Sequence, residues 1–295
     1  MAGGVFFQII VVSLNAGEKL WQTVQSVLEQ TCDAFHVTVK DGLSDDGSVQ
    51  QLLERFGADE RLTLLREKDE GIFDAMNQAV SRLAAPAHGG KEYCLFMNCG
   101  DLFFDETVLK KAAERIAHVN RRMAMRAQVS PAAFSTGLFY GDTFDRHTGQ
   151  VISAAPEMDD FACYRHLPCH QSCIYDLVLL KREPYETKWK VRADYEHFLR
   201  LKYVSGVRPV YLQMTIANYE GGGFSETAEN RKRSEEERRE IIGMYLPRSK
   251  VKGYDLYRVL SLQRFRQRLA DNPKTARLYQ NVKRAIYRKT RGDQA

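Results

Sequence analysis

The 295-residue sequence contains no apolar run close to the roughly 20 residues that a membrane-spanning helix requires. It also shows no basic leader followed by an apolar segment and a small-residue cleavage site. Its six cysteines follow no pattern of pairs, which is typical of buried thiols in a reducing compartment rather than of disulfides. We therefore expect a cytoplasmic protein, or one held peripherally on the inner face of the cell membrane.

Two nucleotide-binding signatures are missing as well. No Gly-x-Gly-x-x-Gly follows the first predicted strand, and no Gly-x-x-x-x-Gly-Lys-Ser/Thr occurs anywhere. Dinucleotide dehydrogenases and P-loop NTPases need those glycines to bring the backbone close to phosphate groups. The sequence therefore argues against both classes of enzyme.

Positive charge is concentrated at the end of the chain. The net charge is +11 over residues 250–291 and −5 over residues 1–249. Residues 254–287 interleave an apolar stripe with arginines and lysines, which is typical of helices that bind anionic membrane surfaces. The same pattern fits a helix that packs its stripe on the rest of the protein. We predict a basic helical C-terminal extension over residues 226–295 and, because the remainder is acidic, no nucleic-acid partner.

Strand and helix patterns alternate along the chain. Apolar β-branched runs predict strands at residues 6–13, 35–39, 62–65 and 93–97, and amphipathic patterns predict helices at 20–28, 49–56 and 72–83. In the second helix we expect Leu52, Leu53 and Phe56 to face the core. A hairpin is predicted around residues 145–149, a helix at 194–203 and a strand at 207–214. The alternation indicates an α/β fold, with a mostly parallel sheet flanked by helices.

Three of the predicted strands end in polar turns. The strand at 93–97 runs into Asn98-Cys99-Gly100-Asp101, and polar turns also occur at residues 13–15 and 40–42. The carboxyl ends of parallel strands lie side by side, so these turns predict a nucleotide site at one edge of the sheet. Taken alone, Asp101 also fits an aspartate that only stabilises its own turn.

Seven segments, in this order, resemble the family 2 glycosyltransferases of the GT-A (Rossmann-like) fold, especially bacterial enzymes of the colanic-acid, exopolysaccharide and O-antigen type. The segments are SLN at 13–15, DGLSDDGS at 41–48, DEGIFDAMN at 69–77, FMNCGD at 96–101, HQ at 170–171, ADYE at 193–196 and GGGFS at 221–225. The resemblance implies a nucleotide-sugar-binding and catalytic domain over residues 1–225.

The resemblance also implies a reaction. It is the inverting transfer of a sugar from a nucleoside-diphosphate sugar, with UDP or GDP as the nucleotide, to a hydroxyl group of a glycan or lipid-linked glycan. Asp194 matches the general base, which takes the proton from the attacking hydroxyl group. Asp101 matches a ligand of Mg²⁺ or Mn²⁺, which would neutralise the leaving diphosphate.

The other site residues are implied in the same way. The positions that match donor nucleotide and sugar contacts are Asn15, Asp41, Asp69, Asp74, Asn77 and Asn98. The positions on the acceptor or diphosphate side are His170, Gln171, Glu196 and Gly222.

Several alternatives remain open at this point. Many relatives carry further aspartates where this chain has Asn98 and Gly100, so metal binding could be weak or Asn98 could serve as a neutral ligand. A catalytically inactive nucleotide-sugar-binding or membrane-scaffolding protein is therefore the second interpretation. By position alone Asp194 fits a helix N-cap, and Glu196 fits either a competing base or an exposed first-turn carboxylate.

One cysteine- and histidine-rich segment offers a different metal. Residues 163–173 contain three cysteines and two histidines, which are ligand types that zinc prefers. The spacing lacks the usual Cys-x-x-Cys pairs, so it gives zinc little support.

Overall fold

The computed structural model describes residues 4–84, 91–129, 137–221 and 227–260, together with single positions at 269, 272, 274, 275, 278, 279 and 282. The first half of the chain alternates strands and helices as predicted. Its elements are β1 Val5–Ser13, α1 Glu18–Leu28, β2 Phe35–Asp41, α2 Ser48–Phe56, β3 Leu62–Arg66, α3 Ile72–Arg82 and β4 Lys91–Asn98.

The second half is less regular. Its elements are β5 Leu102–Phe103, α4 Val108–Val129, β6 Leu138–Asp145, β7 Gln150–Ile152, α5 Asp160–Arg165, a 3-10 turn His170–Ser172, β8 Cys173–Asp176, α6 Leu177–Arg182, α7 Ala193–Tyr203, β9 Val210–Tyr219, α8 Ala228–Tyr245 and α9 Arg248–Leu260. The predicted hairpin is confirmed, because β6 and β7 pair antiparallel around the turn.

The strands of the described part form one mixed sheet in the order β3-β2-β1-β4-β8-β6-β9-β5, with β7 attached to β6. The pairs β2–β3, β1–β2 and β1–β4 are parallel, as expected. Strand β8 then runs antiparallel between β4 and β6. The sheet is therefore parallel on one side and mixed on the other.

The register of the parallel strands aligns their carboxyl ends. Ser13 lies opposite Asp41, and Val12 lies opposite Asn98. The polar turns that follow β1, β2 and β4 therefore meet at one edge of the sheet, as the sequence predicts.

Both faces of β1 are buried, which explains its nearly continuous apolar run. Ile10 packs in a core cluster with α3 and α7, whereas Ile9 packs in a second cluster with α1, α2 and α4. The prediction for α2 is wrong at one position. Leu52 is fully buried, but Leu53 is 43% exposed because the next residue of a helix turns about 100° away from the core.

Helices α8 and α9 pack against the rest of the protein. Tyr245 of α8 donates a hydrogen bond to Glu196 of α7, and the Tyr254 ring of α9 lies 5.2 Å from the Phe161 ring of α5. Beyond residue 260 only the single positions given above are described, so most of the predicted basic extension lies outside the described residues. No helix in the described ranges is long and apolar enough to cross a membrane.

Candidate active site

A cavity of about 650 Å³ opens where β1 and β4 end. Asn98 and Asp101 line it from the turn after β4, Gln171 lines it from the 3-10 turn, and Asp194 lines it from the first turn of α7. The structure therefore brings together residues that are almost 100 positions apart in the sequence. Asp101 and Asp194 face the same enclosed space.

Asp101 is held by two hydrogen bonds. One carboxylate oxygen accepts the Glu220 backbone N–H at 2.9 Å, and the other accepts Gln171 Nε2 at 2.6 Å. The side chain is only 4% exposed, and this burial raises the pKa of Asp101 to about 6, although both hydrogen bonds and the nearby Arg146 favour the charged form. A cation next to this carboxylate would therefore be favourable.

The turn before Asp101 leaves room for a second carboxylate, that of Glu220. Gly100 has a φ of +101°, which residues with a side chain rarely adopt, and a Cβ atom there would meet Glu220 Oε2. Glu220 in turn forms an ion pair with Lys19 of α1 at 2.7 Å. Nothing in the sequence singled out Glu220, because it lies far along the chain at the end of β9.

The oxygen atoms around this turn suit a hard divalent cation. Asp101 and Glu220 supply carboxylates, and Asn98 Oδ1 is buried with no hydrogen-bond partner among the described residues. The described part of the chain holds no group of three His, Cys, Asp or Glu side chains that could bind a metal by themselves. Mg²⁺ is commonly held by one or two carboxylates together with water and substrate phosphates, so the donor set fits such an ion.

The predicted nucleotide residues meet around Ser44. Asp41 is fully buried and accepts hydrogen bonds from the backbone N–H of Ser44 at 2.9 Å and from Arg66 Nε at 3.3 Å. Asn15, with a φ of +48°, donates its backbone N–H to Ser44 Oγ at 2.8 Å. Asn15 Oδ1 accepts the backbone N–H of Asp45 at 3.0 Å. The two residues are neighbours, as expected, and their nucleotide contacts stay a prediction.

Asp69 lies beside the same edge, paired with a buried lysine. Lys40 is fully buried, and its Nζ donates to Asp69 Oδ2 at 2.9 Å and to the Glu67 backbone oxygen at 2.7 Å. A Cβ atom on Gly42 would lie 2.8 Å from Asp69 Oδ2, which places the carboxylate against the turn after β2. A lysine inside an apolar strand was the available sequence signal for this pair.

On α3, the two side chains expected to contact the nucleotide sugar form hydrogen bonds with other parts of the protein. Asp74 Oδ2 accepts the Glu70 backbone N–H at 2.9 Å, so it stabilises the start of the helix. Asn77 bonds both the backbone N–H and the backbone oxygen of Tyr185, at 3.0 and 2.9 Å. Neither residue is among those that line the cavity, where α3 contributes Ile72 and Phe73 instead. Their contacts with the donor stay a prediction.

The two carboxylates of α7 have different surroundings. Asp194 lines the cavity, and its interpretation as the N-cap is wrong because the cap position is Arg192, without a side-chain cap bond. Glu196 is only 1% exposed, pairs with Arg200 at 3.2 Å and accepts the Tyr245 hydroxyl, so it is not an exposed carboxylate. Of these two candidates, only Asp194 lines the cavity.

His170 and Gln171 lie on a 3-10 turn. The His170 ring stacks on Phe96 with centroids 5.1 Å apart, and His170 Nε2 lies 2.8 Å from the Tyr185 hydroxyl. Burial lowers the pKa of His170, which keeps the ring neutral. Gly222 lies outside the described residues.

The zinc interpretation of residues 163–173 gains no support. Cys169 Sγ donates to Gln171 Oε1 at 2.8 Å, and Cys173 Sγ donates to the Cys169 backbone oxygen at 3.5 Å. Burial raises the pKa of Cys169 to about 12, so the thiol stays protonated. Zinc binds thiolates, and these side chains are engaged separately.

Helix α8 holds the segment that leads into Asp194. The buried carboxylate of Glu237 accepts backbone N–H groups of Lys190, Val191 and Arg192 at 3.0, 3.0 and 2.9 Å, and it also accepts Arg233 Nε at 3.0 Å. Sequence reasoning missed this contact, because Glu237 is one acidic residue in a highly charged helix. The first part of the predicted extension therefore supports the site.

Comparisons with known proteins show which proteins this chain is similar to. Residues 8–132 match the family model described as glycosyl transferase family 2. A PGL/p-HBAD biosynthesis glycosyltransferase of Mycobacterium tuberculosis is 28% identical over 225 residues, which cover 75% of this chain and 79% of that protein. The Mycobacterium bovis protein of the same description matches equally well.

Solved structures share the fold at low sequence identity. The S. aureus TarS fragment 1–349 in complex with UDP-GlcNAc gives a TM-score of 0.58 at 17% identity, covering 81% of this chain and 71% of that one. The mannosyltransferase PcManGT from Pyrobaculum calidifontis, in complex with GDP-Man and Mn²⁺, gives 0.53 at 16% identity, covering 77% and 60%. The chain spans only 37% of a longer TarS structure.

The fold is thus the GT-A fold of glycosyltransferases, with its cavity at the carboxyl ends of the parallel strands. Over residues 8–132 the chain is similar to glycosyltransferase family 2, and the mycobacterial relatives are named glycosyltransferases. The narrower resemblance to colanic-acid-type enzymes stays a prediction.

Proposed function

We propose that this protein is an inverting glycosyltransferase that moves a sugar from a UDP- or GDP-sugar to a hydroxyl group of a glycan in bacterial surface polysaccharide synthesis. The observation that carries the proposal is the shared cavity, in which Asp194 faces the turn that bears Asp101. The nucleotide-sugar complexes of TarS and PcManGT, and the mycobacterial relative's name, support a sugar donor of this kind.

Each group in the cavity has a distinct task. The Asp194 carboxylate accepts the proton of the acceptor hydroxyl as its oxygen attacks the anomeric carbon opposite the leaving group. Asp101, with oxygen atoms of Asn98 and Glu220, would hold Mg²⁺ or Mn²⁺, which supplies positive charge to the leaving diphosphate. Lys19, whose side chain is 53% exposed at the start of α1, adds a second cation at the same end.

A lipid-linked acceptor would bring the reaction to the inner face of the membrane. The support is the net charge of +11 over residues 250–291 and the apolar surface of α9, where Leu256, Val259 and Leu260 are each at least 60% exposed. Basic residues near an anionic surface contribute about 1 kcal/mol each to binding. We propose peripheral attachment on this basis.

The test is the release of nucleoside diphosphate from a panel of UDP- and GDP-sugars, with EDTA and with added Mn²⁺ or Mg²⁺. We expect one donor to be consumed only with metal, and Asp101→Asn to abolish this release. Asp33→Asn, an exposed aspartate before β2, is the matched control and should behave as the wild type. If a donor binds but no nucleoside diphosphate is released with any acceptor, the result would instead favour the inactive nucleotide-sugar-binding or scaffolding protein.

A further inference from the structure

Four basic side chains converge at one end of the cavity. Arg165 and His166 come from the end of α5, Arg192 precedes α7, and Arg238 comes from α8. All four line the cavity, although they belong to three separate segments. We call them the basic cluster.

The charge of the basic cluster is not balanced locally. Among the described residues, the guanidinium groups of Arg165, Arg192 and Arg238 form no ion pair. Arg192 Nε donates to Ser234 Oγ at 2.7 Å, and Arg238 donates to the Tyr164 backbone oxygen. Arg192 and Arg238 therefore have only neutral hydrogen-bond partners, and Arg165 has none among the described residues.

Glu237 does not offset the charge of the three arginines, and His166 adds none to it. The nearby Glu237 carboxylate is already occupied by three backbone N–H groups and by Arg233. The His166 ring keeps contact with solvent in the concave wall, yet desolvation there and the three arginines lower the pKa of His166. The histidine thus stays neutral, and the arginines carry the charge.

The basic cluster and Asp101 belong to different parts of the fold. Asp101 lies in the turn after β4 and is bonded to the Glu220 backbone and to Gln171, whereas the cluster comes from α5, α8 and the residue before α7. Asp194 follows Arg192 by two residues and lies near Cys169, where its charge and that of Asp101 both raise the thiol pKa. The proposed base therefore shares one cavity with Asp101 and stands two residues from Arg192 of the basic cluster.

We propose that the basic cluster binds a phosphate group of the acceptor, so that the acceptor substrate is a phosphate-bearing glycan. This inference rests on the proposed function, which puts the donor diphosphate at Asp101 and the acceptor beyond Asp194. Guanidinium groups match phosphate oxygens in bidentate geometry. A neutral glycan that closed over this wall would desolvate three positive charges without compensation, which is unfavourable.

Arg165 gives the cleanest test, because it is exposed and has no hydrogen bond or ion pair among the described residues. Binding of inorganic phosphate, in EDTA, is measured by calorimetry for the wild type and for Arg165→Gln. Arg122→Gln, an exposed arginine on α4, is the matched control. We expect Arg165→Gln to weaken phosphate binding about tenfold, since one charge-assisted bidentate contact is lost, and the control to bind as the wild type.

A second variant and a second ligand keep the test decisive. Arg238→Lys retains the positive charge but loses the planar guanidinium group with its paired N–H donors, and it should also weaken phosphate binding. UDP and GDP binding with Mn²⁺ should be unchanged in both variants. Equal losses of phosphate and nucleotide affinity would assign the cluster to the donor diphosphate and overturn the proposal, as would unchanged phosphate affinity.

Acceptor comparisons identify the source of the phosphate. Transfer is measured to a diphosphate-linked lipid glycan, to a water-soluble glycan phosphodiester and to the same glycan without phosphate. A preference for either phosphorylated acceptor that disappears in Arg165→Gln supports the proposal, and equal use of the neutral glycan contradicts it. Phosphate binding without any transfer would refute the proposed function and leave the phosphate site standing.

Discussion

Removing the carboxylate of Glu237 should weaken both the fold and the reaction, because this side chain holds the backbone that leads into Asp194. It accepts hydrogen bonds from three backbone N–H groups, and the bond from Val191 is buried. A buried donor left without a partner costs about 1–3 kcal/mol. With the two outer N–H groups partly rehydrated, we expect Glu237→Ala to lower the free energy of unfolding by about 3 kcal/mol.

The loss should appear in urea unfolding and in the melting temperature. For a protein of this size about 3 kcal/mol corresponds to a decrease of roughly 6–12 °C. Glu235→Ala is the matched control on the same helix, since Glu235 is 45% exposed and pairs with Arg239 at the surface. Its effect should stay below about 0.5 kcal/mol.

Transfer kinetics separate positioning from general damage. At temperatures where Glu237→Ala is folded, kcat should fall while the KM for the donor stays unchanged, because the donor end of the cavity is held by β1, β2 and β4. Glu237→Gln retains one carbonyl acceptor and should recover part of both losses. A Glu237→Ala protein with wild-type melting and wild-type kcat would refute the role of α8 in placing Asp194.

Two further predictions concern buried charges. Asp69→Asn should lower the free energy of unfolding by about 3 kcal/mol, because it leaves fully buried Lys40 without its carboxylate; an unchanged urea midpoint would contradict this. For Asp101, the folded pKa of about 6 lies above the unfolded value of 3.8, so the folded protein binds more protons between these pH values and loses stability as pH rises. In EDTA this loss should amount to about 3 kcal/mol in the wild type and should be absent from Asp101→Asn. If the urea midpoint shifts equally between pH 4 and pH 7 in both proteins, the prediction is wrong.

The corner of the site formed by β1, β2 and β4 could be predicted from the sequence. Each strand is a short apolar run that ends in a polar turn, and parallel pairing then places Ser13, Asp41 and Asn98 at one edge. Hydrophobic periodicity and strand direction are local properties, so they can be recognised without knowing the rest of the fold.

The far wall of the cavity could not be predicted in the same way. Strands β5 and β8 have two and four residues, too few for a period to be recognised. Glu196 is buried only because α8 packs beside α7, and Glu237 acts on a segment more than 40 residues away. Contacts of this kind depend on tertiary packing, which overrides what a surface-like charge pattern suggests.

The most direct test of the account is single-turnover transfer by Asp194→Asn, measured beside its affinity for the donor. The substitution keeps the size of the side chain but removes the base, so we expect transfer to slow by about 10²–10⁴-fold with donor affinity unchanged. Glu196→Gln should retain transfer if it remains folded. Wild-type transfer by Asp194→Asn would contradict the assignment of the base, and with it the proposed mechanism.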